Sequence, residues 1–419
     1  MTNELHTATR SHTDRLAALL GQFVGVRAKS LALAAGLTAE DQCVQSMPDA
    51  SPTKWHLAHS TWFFETLVLQ PYVAGYAPFD AHYAYLFNSY YEALGPRHPR
   101  PQRGLLSRPA LQDVHDYRRH VDQAVLDLAE HASSLTASNL EALFGMLELG
   151  LHHEQQHQEL LLTDILHLLS CNPLLPAYSQ TATPAAALLP AEEAKWLRFA
   201  GGAVHIGHDL PDFAFDNEIP RHPRFLAPFE LASRPVTCGE YLKFVQAGGY
   251  RDPQWWLADG WATVQTHGWA APAYWLAPDD PRRPNPAWQV FGLDGVQPLR
   301  SNAPVANISF FEAAAYAQWA QARLPTEFEW EAACGASGLS AMMGPVWQWT
   351  RSGYEPYPGF RPRTGAAREY NGKFMVGQQV LRGASLATPE GHSRSTYRNF
   401  FPPAARWQFA GLRLARDES

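Results

Sequence analysis

ELGLHHEQQHQELLLTDILHLL, residues 148–169, decides the reading of this chain. Its apolar residues recur every three or four positions and it contains no proline, so it reads as one long helix. On that helix Met146, Gly150, His153, His157, Leu160 and Leu161 share a face. His153 and His157 stand one turn apart and point the same way, within reach of one metal ion. A lone His-x-x-x-His is as readily a solvated polar face. Here the apolar stripe turns the two imidazoles inward, where they need partners that a metal can provide. The third ligand is expected from another helix, where KWHLAHSTWFFE (54–65) carries His56 and His59 among Trp55, Trp62 and Phe63. Spacing alone does not choose between those two. Three histidines without an obligatory carboxylate leave about three positions of an octahedral metal open, enough for two substrates and dioxygen.

Working outward, the N-terminal part is helical. Residues 10–36 keep Leu, Val and Ala at helical spacing. Ser51-Pro52 reads as an N-cap with proline at the first helical position, opening a helix through WHLAHSTWFFETLVL. A third helix is expected from Pro109 to Ala132, and a fourth opens at Ser138-Asn-Leu-Glu141, a capping-box pattern. Four long amphipathic helices imply a bundle with a long irregular connection between the second and third. The C-terminal part reads as an irregular α+β unit. Short β-like pieces (AVHIGH, 203–208; HPRFLAPFELA, 222–232; QQVLRGA, 378–384) lie among Gly-, Pro- and Trp-rich turns, with a helix at FFEAAAYAQWAQA, 310–322. Residue usage divides at the same place: of 14 Trp, 12 lie at or after Trp196, and of 18 His, 13 lie before residue 170. The expected organisation is a bundle over 1–171, a Pro- and Ala-rich linker over 172–195 and an α+β domain over 196–419.

The chain has 419 residues and a formal net charge of −7, which disfavours nucleic acid as a partner because phosphate binding needs a basic surface. Hydrophobic residues make up 46% and charged residues 17%, enough apolar material for substantial cores. No apolar run reads as a membrane span, the first fifteen residues lack the apolar centre of a secretory signal, and a cytoplasmic location is expected. Cys43, Cys171, Cys238 and Cys334 are scattered, which indicates neither a disulfide framework nor a cysteine zinc site.

Two further clusters carry chemistry. In YLFNSYYEALGPRHPRPQRGLLSRP (85–109), Tyr90 and Tyr91 offer phenols as proton donors, and Arg97, Arg100 and Arg103 offer forked sites for a carboxylate. In SRSTYRNFFPPAARWQFAGLRLAR (393–416), Phe400, Phe401, Trp407 and Phe409 suit an aromatic cage for a quaternary ammonium. Each is also compatible with an ordinary aromatic loop or core. A rival reading is His153-Glu154-Gln155-Gln156-His157 as the H-E-x-x-H of a zinc hydrolase with Glu154 as general base. The extended form of that motif is absent, and no downstream glutamate ligand is evident. A non-catalytic binding module with a decayed site is the alternative outside enzymology.

The clusters together resemble the ergothioneine-biosynthesis sulfoxide synthases, non-haem iron enzymes that join a DinB-type bundle to a formylglycine-generating-enzyme-like domain. The resemblance runs through SPTKWHLAH, FNSYYEALGPRHPR and HHEQQHQE, then through RLPTEFEWEAA, VWQWT, YEPYPGF and YRNFFPPAARWQFAGLRLA. It implies iron(II) held by His59, His153 and His157. It also implies that Gln156 contacts the substrate imidazole, that Tyr90 or Tyr91 donates a proton, and that Arg100 and Arg103 hold the carboxylate of the sulfur donor. Asn399 and Phe400, with Phe401 and Trp407, would line the site for hercynine, the trimethylated histidine. The implied reaction takes O2 and joins cysteine to C2 of the hercynine imidazole. The C-terminal domain would act as a substrate-binding lid and not generate formylglycine, since no cysteine follows Cys334.

Departures bear on the donor. Phe401 and Ala405 stand where branches using γ-glutamylcysteine carry an acidic residue and an arginine, which disfavours a dipeptide. RGASLATP and GPVWQWT also differ from the usual family forms. They leave open a selenoneine-synthase relative that joins hercynine to a selenosugar. A selenosugar lacks a carboxylate, so the retained arginines favour cysteine.

Overall fold

The chain divides after Cys171. The computed structural model describes residues 2–179 and 188–418, and each of its two units, Met1–Cys171 and Asn172–Ser419, has its own architecture.

The first unit is built on helices α1 (Thr2–Ala34), α2 (Thr53–Phe64), α3 (Leu111–Leu126) and α4 (Ala137–Ser170). α2 is the central element: it packs against α3 and α4, and all twelve of its residues are buried. The sequence places its start at Ser51, but the capping position is Pro52, in an extended conformation, and Thr53 begins the helix. Ser51 instead donates its backbone N–H to Asp164 Oδ2 at 2.8 Å. α4 likewise starts before the expected Ser138. Thr136 Oγ1 accepts from the Asn139 N–H, and the capping pair formed with Glu141 in the sequence reading does not occur. α2 runs on into a π-helical turn, Glu65–Leu69. The Glu65 carboxylate there accepts from the hydroxyls of Tyr76 and Tyr117 and from the Phe79 N–H.

In α1, the segment His12–Ala34 is long and apolar enough to cross a membrane by length and composition, which corrects the sequence reading. Its buried residues Leu16, Leu19, Phe23, Arg27, Ser30 and Ala34 repeat every three or four positions. α1 turns this face to α4, with Arg27 at its middle ion-paired to Glu154. A helix whose inner face carries such a pair is serving the bundle core.

The second unit contains small sheets joined by turns. β4 (Phe229–Ala232) lies between β1 (Trp196–Phe199) and β12 (Ala415–Asp417), and β2 (Gly202–Ile206) pairs with β3 (His222–Leu226). A three-stranded meander comprises β5 (Trp275–Leu276), β6 (Gln289–Gly292) and β7 (Gly295–Pro298). A four-stranded sheet has the order β10 (Asn399–Phe401), β9 (Gln379–Arg382), β8 (Trp347–Gly353), β11 (Ala410–Leu412), with only the β8–β11 pair parallel. Helices Phe310–Trp319 and Glu327–Ala333 begin with true capping boxes, Ser309 with Glu312 and Thr326 with Glu329. The helical first unit and sheet-containing second unit give the α+β class read from the sequence. The described parts of 172–195 pack within the second unit: Leu175 and Leu189 are buried, and the Ser179 and Leu189 amides bond to the Leu293 and Asn302 carbonyls.

Candidate metal centre

α2 and α4 bring three imidazoles together. Ring centroids of His59, His153 and His157 lie 4.6–4.9 Å apart, and one ring nitrogen from each falls within 4.8 Å of the other two. Aromatic neighbours fix two of the rings: Trp55 stacks on His59 at 4.6 Å and Phe63 stacks on His153 at 4.4 Å. Gly150 makes room for this arrangement. A Cβ at that position would lie 2.6 Å from Phe64 and 3.1 Å from Phe63.

The hydrogen bonds set the ring tautomers. His59 Nδ1–H donates to the Phe87 carbonyl at 2.6 Å, which leaves Nε2 as a bare lone pair. That Nε2 is buried with no hydrogen-bond partner among the described residues. Burial pushes all three imidazoles below their ordinary range, His153 to about 3, and neighbouring rings add to the effect at His59 and His157. They are therefore neutral donors at pH 7, the form that ligates a metal. A buried, unpartnered lone pair inside a trio of neutral imidazoles fits a borderline transition metal, iron(II) included.

His56, left open by spacing, stands outside the trio. Its Nδ1 lies 2.8 Å from His157 Nδ1 and its Nε2 lies 3.0 Å from Asp164 Oδ2. Asp164 went unnoticed in the sequence, although it lies two turns beyond His157 on the same stripe.

Glu154 faces away from the trio. Its carboxylate accepts from Arg27 at 2.9 Å, Arg118 at 3.0 Å and Ser30 at 2.6 Å. Burial alone would raise its pKa, but the two guanidinium groups bring it down to about 2. A carboxylate so engaged is a weak base turned to the guanidinium groups, which counts against the H-E-x-x-H hydrolase reading.

The remaining first-unit candidates separate. Gln156 is half-buried, one residue before His157. Tyr91 is fully buried, with its ring against Trp62, Phe63 and Tyr90; Tyr90 is half-buried. Arg103 is buried over the Trp55 ring, its guanidinium carbon 3.3 Å from the centroid, and it donates to the hydroxyls of Ser51 and Ser89. It forms no ion pair with a carboxylate among the described residues. Burial, with Arg100 and Arg97 nearby, lowers its pKa to about 8. Arg100 is exposed and donates to the Asp49 carbonyl, so the expected arginine pair is not a matched clamp.

In the second unit, the single aromatic cage expected near the C-terminus resolves into separate groups. Side chains alternate along β10, so Phe400 stacks on Tyr354 at 4.1 Å while Phe401 meets Trp407 edge-on at 5.7 Å. Phe409 is buried core. Asn399 opens the strand, and its Oδ1 accepts from the Phe400 N–H.

Comparison with known proteins agrees with this division. The DinB superfamily model matches residues 22–161, and the sulfatase-modifying factor enzyme 1-like domain matches residues 186–338 and 336–418. The chain thus joins a DinB-type bundle to a sulfatase-modifying-factor fold. Hercynine oxygenase of Mycolicibacterium smegmatis is 33% identical over 64% of this chain and 71% of its own length. Hercynine oxygenase of Mycobacterium tuberculosis is 33% identical over 75% of this chain and 85% of its own. Formylglycine-generating enzyme of Thermomonospora curvata is 34% identical over 34% of this chain and half of its own length. The chain belongs to the hercynine oxygenase family and is an oxidoreductase.

Proposed function

We propose that the protein is a non-haem iron(II)- and O2-dependent enzyme joining a chalcogen donor to C2 of the hercynine imidazole, with cysteine as the donor and hercynyl-cysteine sulfoxide as the product. The observation that carries this reading is the neutral trio His59, His153 and His157, in which His59 Nε2 is a buried lone pair without a hydrogen-bond partner among the described residues. Iron(II) held there supplies O2 activation and open positions at which the reactants meet. The chain's own residues do the rest. Gln156, beside the last ligand, orients the hercynine imidazole by a hydrogen bond. The Tyr90–Tyr91 pair holds the phenol that donates a proton, and Tyr91 lies against the rings flanking His59 and His153. In the second unit Asn399, Phe400 and the Phe401–Trp407 pair offer an amide and aromatic faces of the kind that receive a trimethylammonium.

Arg103 favours cysteine, because it is a buried guanidinium with no carboxylate partner among the described residues, and a donor carboxylate would complete it. One observation favours a selenosugar instead: Arg100 is turned to a backbone carbonyl, and Arg103 already donates to two serine hydroxyls. The test loads the protein with Fe(II) without oxygen, adds hercynine and O2, and offers cysteine, γ-glutamylcysteine and a selenosugar in parallel. A hercynine–cysteine adduct of sulfoxide mass is expected. A selenium adduct formed in preference reassigns the donor, and no adduct with any donor refutes the reading.

A further inference from the structure

We infer that His56 and Asp164 form a two-step relay that positions the candidate ligand His157 and strengthens it as a donor; the inference rests on the metal-site reading above. Three residues of two helices form the chain: Asp164 Oδ2 to His56 Nε2 at 3.0 Å, then His56 Nδ1 to His157 Nδ1 at 2.8 Å. His56 and Asp164 are both buried.

The proton arrangement follows from the end of the chain. A carboxylate accepts, so His56 Nε2 carries the hydrogen. In the neutral ring His56 Nδ1 is then an acceptor, and the proton between the two Nδ1 atoms belongs to His157. His157 Nε2 is left as the bare lone pair, the atom a metal takes. Asp164 thus dictates the tautomer of His157 through an intervening ring. It is itself held by the Ser51 amide at 2.8 Å, on the segment that opens α2. The contrast with His59 is internal to the site: His59 Nδ1–H meets a neutral backbone carbonyl, whereas the His157 relay ends on an anion. Carboxylate-ended support raises the basicity of a ligating imidazole and its affinity for metal. The relay also reaches the Arg103 region, since Ser51 accepts from that guanidinium through its hydroxyl.

The experiment titrates metal-free protein anaerobically with Co(II), reading affinity and the visible ligand-field bands, and measures the melting temperature of each metal-free variant. His56→Phe removes both relay nitrogens, and Asp164→Asn removes the anion and allows the opposite tautomer. Both are expected to bind Co(II) about 10- to 100-fold more weakly with shifted bands. His56→Gln, which can accept from His157 and donate to Asp164, is expected to recover most of the affinity. A merely structural role would lower the melting temperature without moving the bands. Parental affinity and bands in both His56→Phe and Asp164→Asn overturn the relay while leaving the metal site standing. Failure of the parent to bind Co(II), or binding unaffected by His59→Ala, overturns the metal site and the relay together.

Discussion

His153 and Glu154 are neighbours on α4, both buried, and they present opposite electrostatic solutions. On the His153 side, three neutral imidazoles gather, the His59 Nε2 lone pair has no hydrogen-bond partner among the described residues, and Arg103 forms no ion pair among them. On the Glu154 side, one carboxylate is closed by Arg27, Arg118 and Ser30, and Gln158 donates to Ser30 Oγ and the Val26 carbonyl. The first face leaves capacity for ligands. The second engages its carboxylate with two guanidinium groups and a hydroxyl and ties α4 to α1 and α3. The difference teaches that burial of polar residues has two meanings in this bundle, one that closes charge within the fold and one that leaves a donor set suited to a ligand.

The sharpest way to break the comparison is to remove one imidazole. His153→Ala should abolish stoichiometric Fe(II) binding and all turnover, while far-ultraviolet circular dichroism of the metal-free protein keeps its helical signal. Retained iron at one per chain would show that the trio is not the ligand set. On the opposite face, Glu154→Gln should preserve metal stoichiometry at low temperature. It should cost about 3–5 kcal/mol in denaturant unfolding, because Arg27 and Arg118 lose their shared buried carboxylate. An unchanged midpoint would contradict the structural role. The same group sets an acid limit. Its pKa in the folded state, about 2, lies below that of an unfolded glutamate, so its contribution is full above roughly pH 4.5 and fades as pH falls toward 2. Unfolding in acid should therefore be less steep in Glu154→Gln than in the parent.

The two faces were not equally legible in the sequence. His153, His157 and the inward stripe follow from helical period, and α2 was marked by its aromatic run. Choosing His59 over His56 needed the family resemblance, because both fit the spacing and only tertiary contacts show His56 turned to Asp164. The Glu154 network was not legible, since Arg27 lies 127 residues away in a helix that reads as apolar. Helix starts failed locally for the same reason: Ser51 and Ser138 look like caps, but Ser51 is drawn to Asp164 and Thr136 already caps α4. In the second unit the aromatic cluster was visible by composition. Its division into Phe400 and Phe401–Trp407 groups is a consequence of strand alternation, which requires knowing that Asn399–Phe401 is a strand.

Arg103 tests whether an incomplete buried charge is kept for a substrate. Arg103→Met should raise KM for cysteine about 10- to 100-fold, the loss of one charge-assisted contact of about 1.5–3 kcal/mol, with a smaller change in kcat. The substrate-free protein should be as stable as the parent or more so, because a desolvated cation with no carboxylate partner among the described residues is replaced by an apolar side chain of similar length. An equal rise in KM for a donor lacking a carboxylate would assign Arg103 to packing on Trp55 instead.

The smallest effect sharpens the packing beneath the trio. Gly150→Ala gains helix propensity of about 1 kcal/mol. Its methyl group would meet Phe64 at 2.6 Å and Phe63 at 3.1 Å, and overpacking of this kind costs about 1–3 kcal/mol. The net change in stability should therefore be a loss of about 0–2 kcal/mol. Phe63 is the ring stacked on His153, so the displacement should be read more clearly at the metal than in the melting curve. Shifted Co(II) bands with a nearly parental midpoint are the expected result. Parental bands with a lowered midpoint would show that Phe64 alone yields to the new methyl and that the stacking on His153 is not transmitted to the ligand.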